Sequence, residues 1–214
     1  MAVYVFVDFE TVSVENPCFN NCWQACFAYV NTATMKSLEQ VQYFTRVIDV
    51  GPEGFESPEP KTMAFRAKHT PQADAWMADI NCPYPVVTRE VFLEEALQWF
   101  SERGLTPTGA NRDWVFAGRY PIFDFKCFPE ELKPLIGLDP FKLWDIATMY
   151  AWPGTDDYKN RLPSLDVIKG RASLLGAAAH DAYYDVKDEV TAAWIAWFGV
   201  AKECNKRRQP ITAG

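Results

Sequence analysis

Residues 3–9, VYVFVDF, form an unbroken run of apolar, β-branched and aromatic side chains that ends in acids. A strand with one wet face alternates polar and apolar residues, whereas a strand covered on both faces stays apolar throughout. The run therefore predicts a central strand buried on both sides, as in an α/β architecture. Its C-terminal end carries Asp8 and Glu10. Side chains alternate with period two, so these carboxylates point to the same side, where like charges repel. A divalent cation relieves that repulsion, and hard oxygen ligands suit Mg²⁺ or Mn²⁺. The plainer reading is that the strand has ended and both acids are solvated.

Segments 24–31 (QACFAYVN) and 40–50 (QVQYFTRVIDV) read as two further strands, completing a three-stranded antiparallel meander with the first. Residues 51–62 are rich in Gly, Pro and Glu and read as a loop, and 64–77 as a weaker helix interrupted near Pro71. The stretch 88–103 begins at Thr88, a candidate N-cap, and stops at Gly104. It places Phe92, Ala96, Trp99 and Phe100 on one stripe, which predicts an amphipathic helix. DWVFAG (113–118) reads as a short buried strand, and IFDFKCF (122–128) as a helix start that Pro129 ends early, with Asp124 in its first turn. Residues 143–151 read as a short strand or helix and 162–170 as a short helix beginning near Pro163. A long helix is expected over 181–203, buried along Tyr183, Val186, Val190, Ala193, Trp194 and Trp197. The chain thus reads as one domain over 1–203 with a short polar tail over 204–214.

The composition, 49% hydrophobic and 23% charged, excludes extensive disorder. The N-terminus shows no basic region or cleavage site, and no run approaches the roughly 20 apolar residues that span a bilayer. The expectation is a cytoplasmic protein without membrane contact, its six cysteines free thiols in a reducing compartment. Cys18, Cys22 and Cys26 are spaced by four, but a structural zinc site wants four ligands with tighter paired spacing. Cys26 is expected in a strand and the other two in the preceding loop. The net charge of −7 runs against polyanion binding, although a carboxylate site becomes electropositive once cations are bound. Basic residues are also local: Lys159, Arg161, Lys169 and Arg171, then Lys202, Lys206, Arg207 and Arg208.

Asp124 and Asp185 each lie in the first turn of an expected helix, where an acid is favourable to the helix dipole without further function. His180 stands five residues before Asp185 and is one of two histidines. Its acid neighbours and an ordinary pKa of about 6.5 suit a general base near neutral pH. His69, between Lys68 and Thr70, reads as exposed.

Taken in order, VFVDFET (5–11), FAGRYPIFD (116–124) and HDAYYD (180–185) resemble the three motifs of the DEDD exonuclease superfamily. These are a strand carrying D-x-E-T, a helix start with F-D, and H-x-A-x-x-D opening the last helix. The H-x₄-D spacing resembles the histidine subclass, the group of ribonuclease T, oligoribonuclease and the polymerase III proofreading subunit. Residues 61–77 are loosely similar to a segment of small bacterial and phage exoribonucleases. Arg119 departs from the pattern, standing near a position where several relatives carry Asn.

The resemblance covers about residues 3–195. It implies a ribonuclease H-like fold with a mixed central sheet flanked by helices, and 3′-to-5′ hydrolysis of single-stranded RNA or DNA to nucleoside 5′-monophosphates. Asp8 would bridge two divalent cations, Mg²⁺ or Mn²⁺, with Glu10 and Asp185 each supporting one. Asp124 would act directly or through water, and His180 would deprotonate the attacking water. Phe9, Thr11 and Val12 adjoin the first motif and would contact the terminal base or sugar, unless Phe9 points into the opposite face of the sheet. A non-catalytic nucleic-acid-binding module on the same fold and a metal-dependent phosphatase are the competing readings, and a homodimer stays open.

Overall fold

A computed structural model describes residues 2–146 and 180–207. The opening run forms strand β1 (Val3–Thr11), followed by β2 (Cys22–Asn31) and β3 (Gln42–Asp49). β1 pairs antiparallel with β2 and β2 antiparallel with β3, as the meander reading requires. Three short strands complete the sheet: β4 (Val86–Thr88), β5 (Val115–Gly118) and β6 (Leu143–Asp145). The six strands lie in the order β4-β3-β2-β1-β5-β6, with β4, β5 and β6 each parallel to their inner neighbour. β1 is thus an interior strand of a mixed sheet, in keeping with its apolar run. β4 escaped the sequence reading because three residues are too few to show a period.

Helices cover both faces. α1 (Pro60–His69), α2 (Ala73–Met77) and α3 (Arg89–Glu102) precede β5. α4 (Pro121–Cys127), α5 (Leu132–Leu135) and the long α6 (Ala182–Arg207) follow it. On one face Val5, Val7 and Phe9 join Phe27, Phe44, Phe92, Trp99, Phe100 and Phe128 in an aromatic core. On the other, Phe6 and Ala28 meet Ala182, Val186, Val190 and Ala193 of α6. Tyr183 and Trp197 are partly buried against the same cluster, so the expected stripe largely holds.

Local signals set most helix ends. Thr88 caps α3, its Oγ1 accepting from the Val91 N–H at 3.4 Å, and Gly104 ends that helix with φ +65°. Phe128 is extended because it precedes Pro129, and this stops α4 after Cys127. One boundary differs from expectation at the first helical region. α1 begins at Pro60, inside the stretch read as loop, since proline is favourable at the first helical position. The helical segment then breaks at Thr70 and Pro71 as expected, giving α1 and α2.

α6 runs on to Arg207, past the expected end at Glu203. Cys22 is not in a loop: a register shift at Glu10 and Thr11 lets β2 begin there, fully buried. The described cysteines, Cys18, Cys22, Cys26, Cys82 and Cys127, are free thiols. Among the described residues no helix is long and apolar enough to cross a membrane. The helix read over 162–170, the remainder of 143–151, and Lys159, Arg161, Lys169, Arg171 and Arg208 lie outside the described residues.

Phe27 sits at the centre of the aromatic core, its ring 5.3 to 6.0 Å from those of Phe9, Phe44, Phe92, Trp99, Phe100 and Phe128. Phe27→Ala is expected to destabilise the fold by about 3–5 kcal/mol, read as a lower urea midpoint at unchanged slope. A loss below about 1 kcal/mol would mean that this face is not a packed core.

Candidate active site

Even-numbered β1 residues share a face, so Asp8 and Glu10 continue the row of Tyr4 and Phe6 that packs towards α6. They reach past the apolar contact into a cavity of about 500 Å³ at the C-terminal end of the strand. Asp124 and Glu189 line it from α4 and α6, with Asp185, Asp188, His180 and Thr11. Three distant stretches of chain therefore deliver the four acids and the histidine singled out in the sequence to one place. Glu10, His180 and Asp185 also offer donor atoms that all lie within 4.8 Å of one another.

Hydrogen bonds fix these side chains to neighbouring elements. Asp124 is 4% exposed, and its Oδ1 accepts the Phe9 N–H at 2.9 Å, beyond the last β1–β5 pair at Phe6 and Ala117. α4 is thereby tied to β1 through the carboxylate itself. His180 adopts φ +69°, a left-handed conformation uncommon outside glycine. The buried Thr70 hydroxyl donates to the His180 carbonyl at 3.0 Å and braces that turn.

Asp181 then caps α6, accepting from the Tyr183 N–H at 3.1 Å, from Gln24 Nε2 at 2.9 Å and from the Tyr84 hydroxyl at 2.7 Å. Gln24, fully buried on β2, also accepts the Ala182 N–H at 3.1 Å. The start of α6, and with it His180 and Asp185, is thus locked to the sheet.

Burial pushes the carboxyl of Asp8 well above its ordinary range, and the nearby charges of Asp124, Glu10, Asp185 and Glu189 push it further. Glu10 is raised by burial and then by Asp185 and Asp124. Burial also moves Asp124 from its ordinary 3.8 up to about 8, against the lowering effect of the Phe9 N–H. Asp8 Oδ2 is buried with no hydrogen-bond partner among the described residues. Crowded, partly orphaned carboxylates of this kind fit hard divalent cations, whose charge would compensate the desolvation that raises these pKa values.

The neighbouring residues fare differently. Thr11 lines the cavity, although its hydroxyl already donates to the Asn21 carbonyl at 3.0 Å. Phe9 is 3% exposed, its ring in the aromatic core, because odd-numbered β1 residues face away from α6. Phe9 still borders the cavity, where its backbone N–H holds Asp124. Val12 is fully buried with Trp23, Val47 and Trp76. His69 is not fully exposed: it is half buried, its ring 4.2 Å from Phe65 and 5.4 Å from His180. The Phe65 ring is 4.5 Å from His180, and Phe65 lines the cavity with Thr62, Arg119 and Tyr120.

Sequence reasoning missed Glu189 and the α1 side chains. Glu189 had a signal, since it follows Asp185 by four residues and so shares its helical face. Phe65 and Thr62 had none, because their proximity depends on how α1 docks. Arg119 had drawn notice only as a departure from the motif, and in the structure it is the Arg or Lys among the described lining residues.

No family model matches the chain, and no curated protein matches it in sequence. Solved structures do match its shape. Exonuclease I from Methylocaldum szegediense superposes over 99% of this chain with a TM-score of 0.55 at 15% identity. E. coli exonuclease I in complex with a dT13 oligonucleotide covers 92% at TM-score 0.52 and 17% identity. The zinc-bound complex of the E. coli enzyme with single-stranded DNA covers 98% at 0.54 and 15%. This chain spans 42%, 41% and 42% of those proteins, respectively. The fold is accordingly the ribonuclease H-like fold that these exonucleases share, a mixed sheet flanked by helices.

A raised Asp124 pKa means that the folded state holds this proton more tightly than the unfolded chain. The resulting stability is fully present below pH 3.8 and is lost progressively as pH rises to about 8. Asp124→Asn keeps an acceptor for the Phe9 N–H and removes the charge. In EDTA the variant is expected to melt above the parent by a margin that grows across that window, and a divalent cation should narrow it by stabilising the parent. A margin independent of pH would contradict the assignment. Gln24→Leu, which strips partners from Asp181 and Ala182, should cost about 2–4 kcal/mol in urea unfolding.

Proposed function

We propose that the chain is a metal-dependent 3′-to-5′ exonuclease of single-stranded nucleic acid, of the DEDD histidine subclass, that releases nucleoside 5′-monophosphates. The observation that carries this reading is the convergence of Asp8, Glu10, Asp124, Asp185 and His180 on one cavity. Divalent cations, when bound, would supply charge neutralisation and Lewis-acid activation of water at a phosphodiester. Asp8, Glu10, Asp124 and Asp185 would hold them.

His180 takes the proton of the attacking water, and the bracing of its turn by Thr70 limits its motion relative to Glu10. Arg119 stands at the cavity as a phosphate contact, while Phe65 and Tyr120, 43% and 66% exposed, offer surfaces on which unpaired bases can stack. The similar exonuclease I structures, determined with oligonucleotides of deoxythymidine or with single-stranded DNA, support DNA over RNA as the polymer. They also favour an exonuclease I-like enzyme over a ribonuclease T-like one within the superfamily.

The test is a labelling experiment: 5′-labelled single-stranded DNA and RNA of one sequence, incubated with Mg²⁺, Mn²⁺ or EDTA. A ladder shortening from the 3′ end, faster on DNA and absent in EDTA, is expected. His180→Ala should slow it about 10²–10⁴-fold and Asp8→Ala at least comparably, with both variants folded. Intact oligonucleotide in every lane, with binding retained, would point instead to a non-catalytic module.

Zn²⁺ accepts imidazole more readily than Mg²⁺ does, and the His180 nitrogen lies among the Glu10 and Asp185 oxygens. Zn²⁺ added to the Mg²⁺ reaction is therefore expected to inhibit by engaging the base. A Mg²⁺ rate unchanged by added Zn²⁺ would argue against His180 as the proton acceptor.

A further inference from the structure

Glu189 is 6% exposed, lines the cavity and belongs to none of the three sequence motifs. Its two oxygens do different things. Oε1 accepts the Arg119 N–H at 2.8 Å, joining α6 to the turn between β5 and α4. That turn carries Tyr120 in a left-handed conformation, φ +60°, immediately before the helix that presents Asp124. Oε2 is buried with no hydrogen-bond partner among the described residues.

The close approach of α6 also depends on Gly118. A Cβ at that position would lie 3.2 Å from the Val7 carbonyl oxygen and 3.5 Å from Glu189 Oε2. A buried carboxylate with one oxygen committed to backbone and the other unpartnered is costly unless something further meets it. A surface acid tolerated by chance would not be so enclosed. Glu189 lines the same cavity as Asp124 and Asp185, the acids that would hold cations, and their charges act on its carboxyl.

We propose that Glu189 is a fifth carboxylate of the metal centre, acting through water. Its Oε2 accepts a hydrogen bond from a cation-bound water while its Oε1 positions the Arg119–Tyr120 turn. Residues that orient first ligands or their waters in this way commonly change metal affinity by about 10–100-fold. The inference rests on the metal-dependent reading of the cavity.

Two substitutions separate the roles. Glu189→Gln preserves volume and an oxygen for the Arg119 N–H but turns the other position into a donor, whereas Glu189→Ala removes both. Mn²⁺ binding, followed by the electron paramagnetic resonance signal of the free ion, is expected to weaken about tenfold in E189Q and at least as much in E189A. Hydrogen exchange at the Arg119 amide should stay slow in E189Q and accelerate in E189A. Parent-like Mn²⁺ affinity in E189Q would overturn the water-mediated role, and unchanged Arg119 exchange in E189A the positioning role. A folded parent that binds no Mn²⁺ would remove the metal-dependent reading together with this inference, whereas failure of Glu189 alone leaves that reading standing.

Discussion

The two-sided burial of β1 is the constraint on which the rest of the structure depends. Its odd residues anchor an aromatic core beneath α3 and α4, and its even residues receive α6. Because the side-chain period is two, the acids at its end cannot face the aromatic core without a register slip that would expose Phe9. The same packing that makes the strand stable thus aims Asp8 and Glu10 into the cavity. It also buries the side chains of Phe9 and Val12.

Assembling this cavity opposes folding, because desolvation and mutual repulsion raise the carboxyl groups of Asp8, Glu10, Asp124 and Glu189 together. Part of the cost is offset by using carboxylates as structural acceptors. Asp124 takes a β1 amide, Glu189 the Arg119 amide, and Asp181 the Gln24 and Tyr84 side chains. Charge-assisted bonds to buried donors are stronger than neutral ones and hold each acid in a defined place. The remaining imbalance, seen in the orphaned oxygens of Asp8 and Glu189, is what cations would relieve.

Charge outside the cavity bears on the same question. A net −7 offers little long-range attraction for a polyanion, so on the proposed reading recognition would rest on local features. Arg119, with the exposed aromatic rings of Phe65 and Tyr120 nearby, provides such features at the cavity. The packing of Phe65 and His69 against His180 makes α1 part of the site, not a peripheral element.

Much of this arrangement was legible in the sequence because it depends on local physics. The apolar run of β1, the stripe of Phe92, Ala96, Trp99 and Phe100, Gly104 as a helix stop and Pro129 as a breaker each act within a few residues. The acids and His180 could be singled out because their order along the chain carries a motif. What the tertiary structure decided lay between distant segments. The docking of α1 brought Phe65 and His69 to His180, Gln24 and Tyr84 became partners of Asp181, and the approach of α6 to Gly118 buried Glu189. None of these leaves a period or spacing in the chain, because a contact between segments so far apart in sequence is set by how layers pack and not by either segment alone.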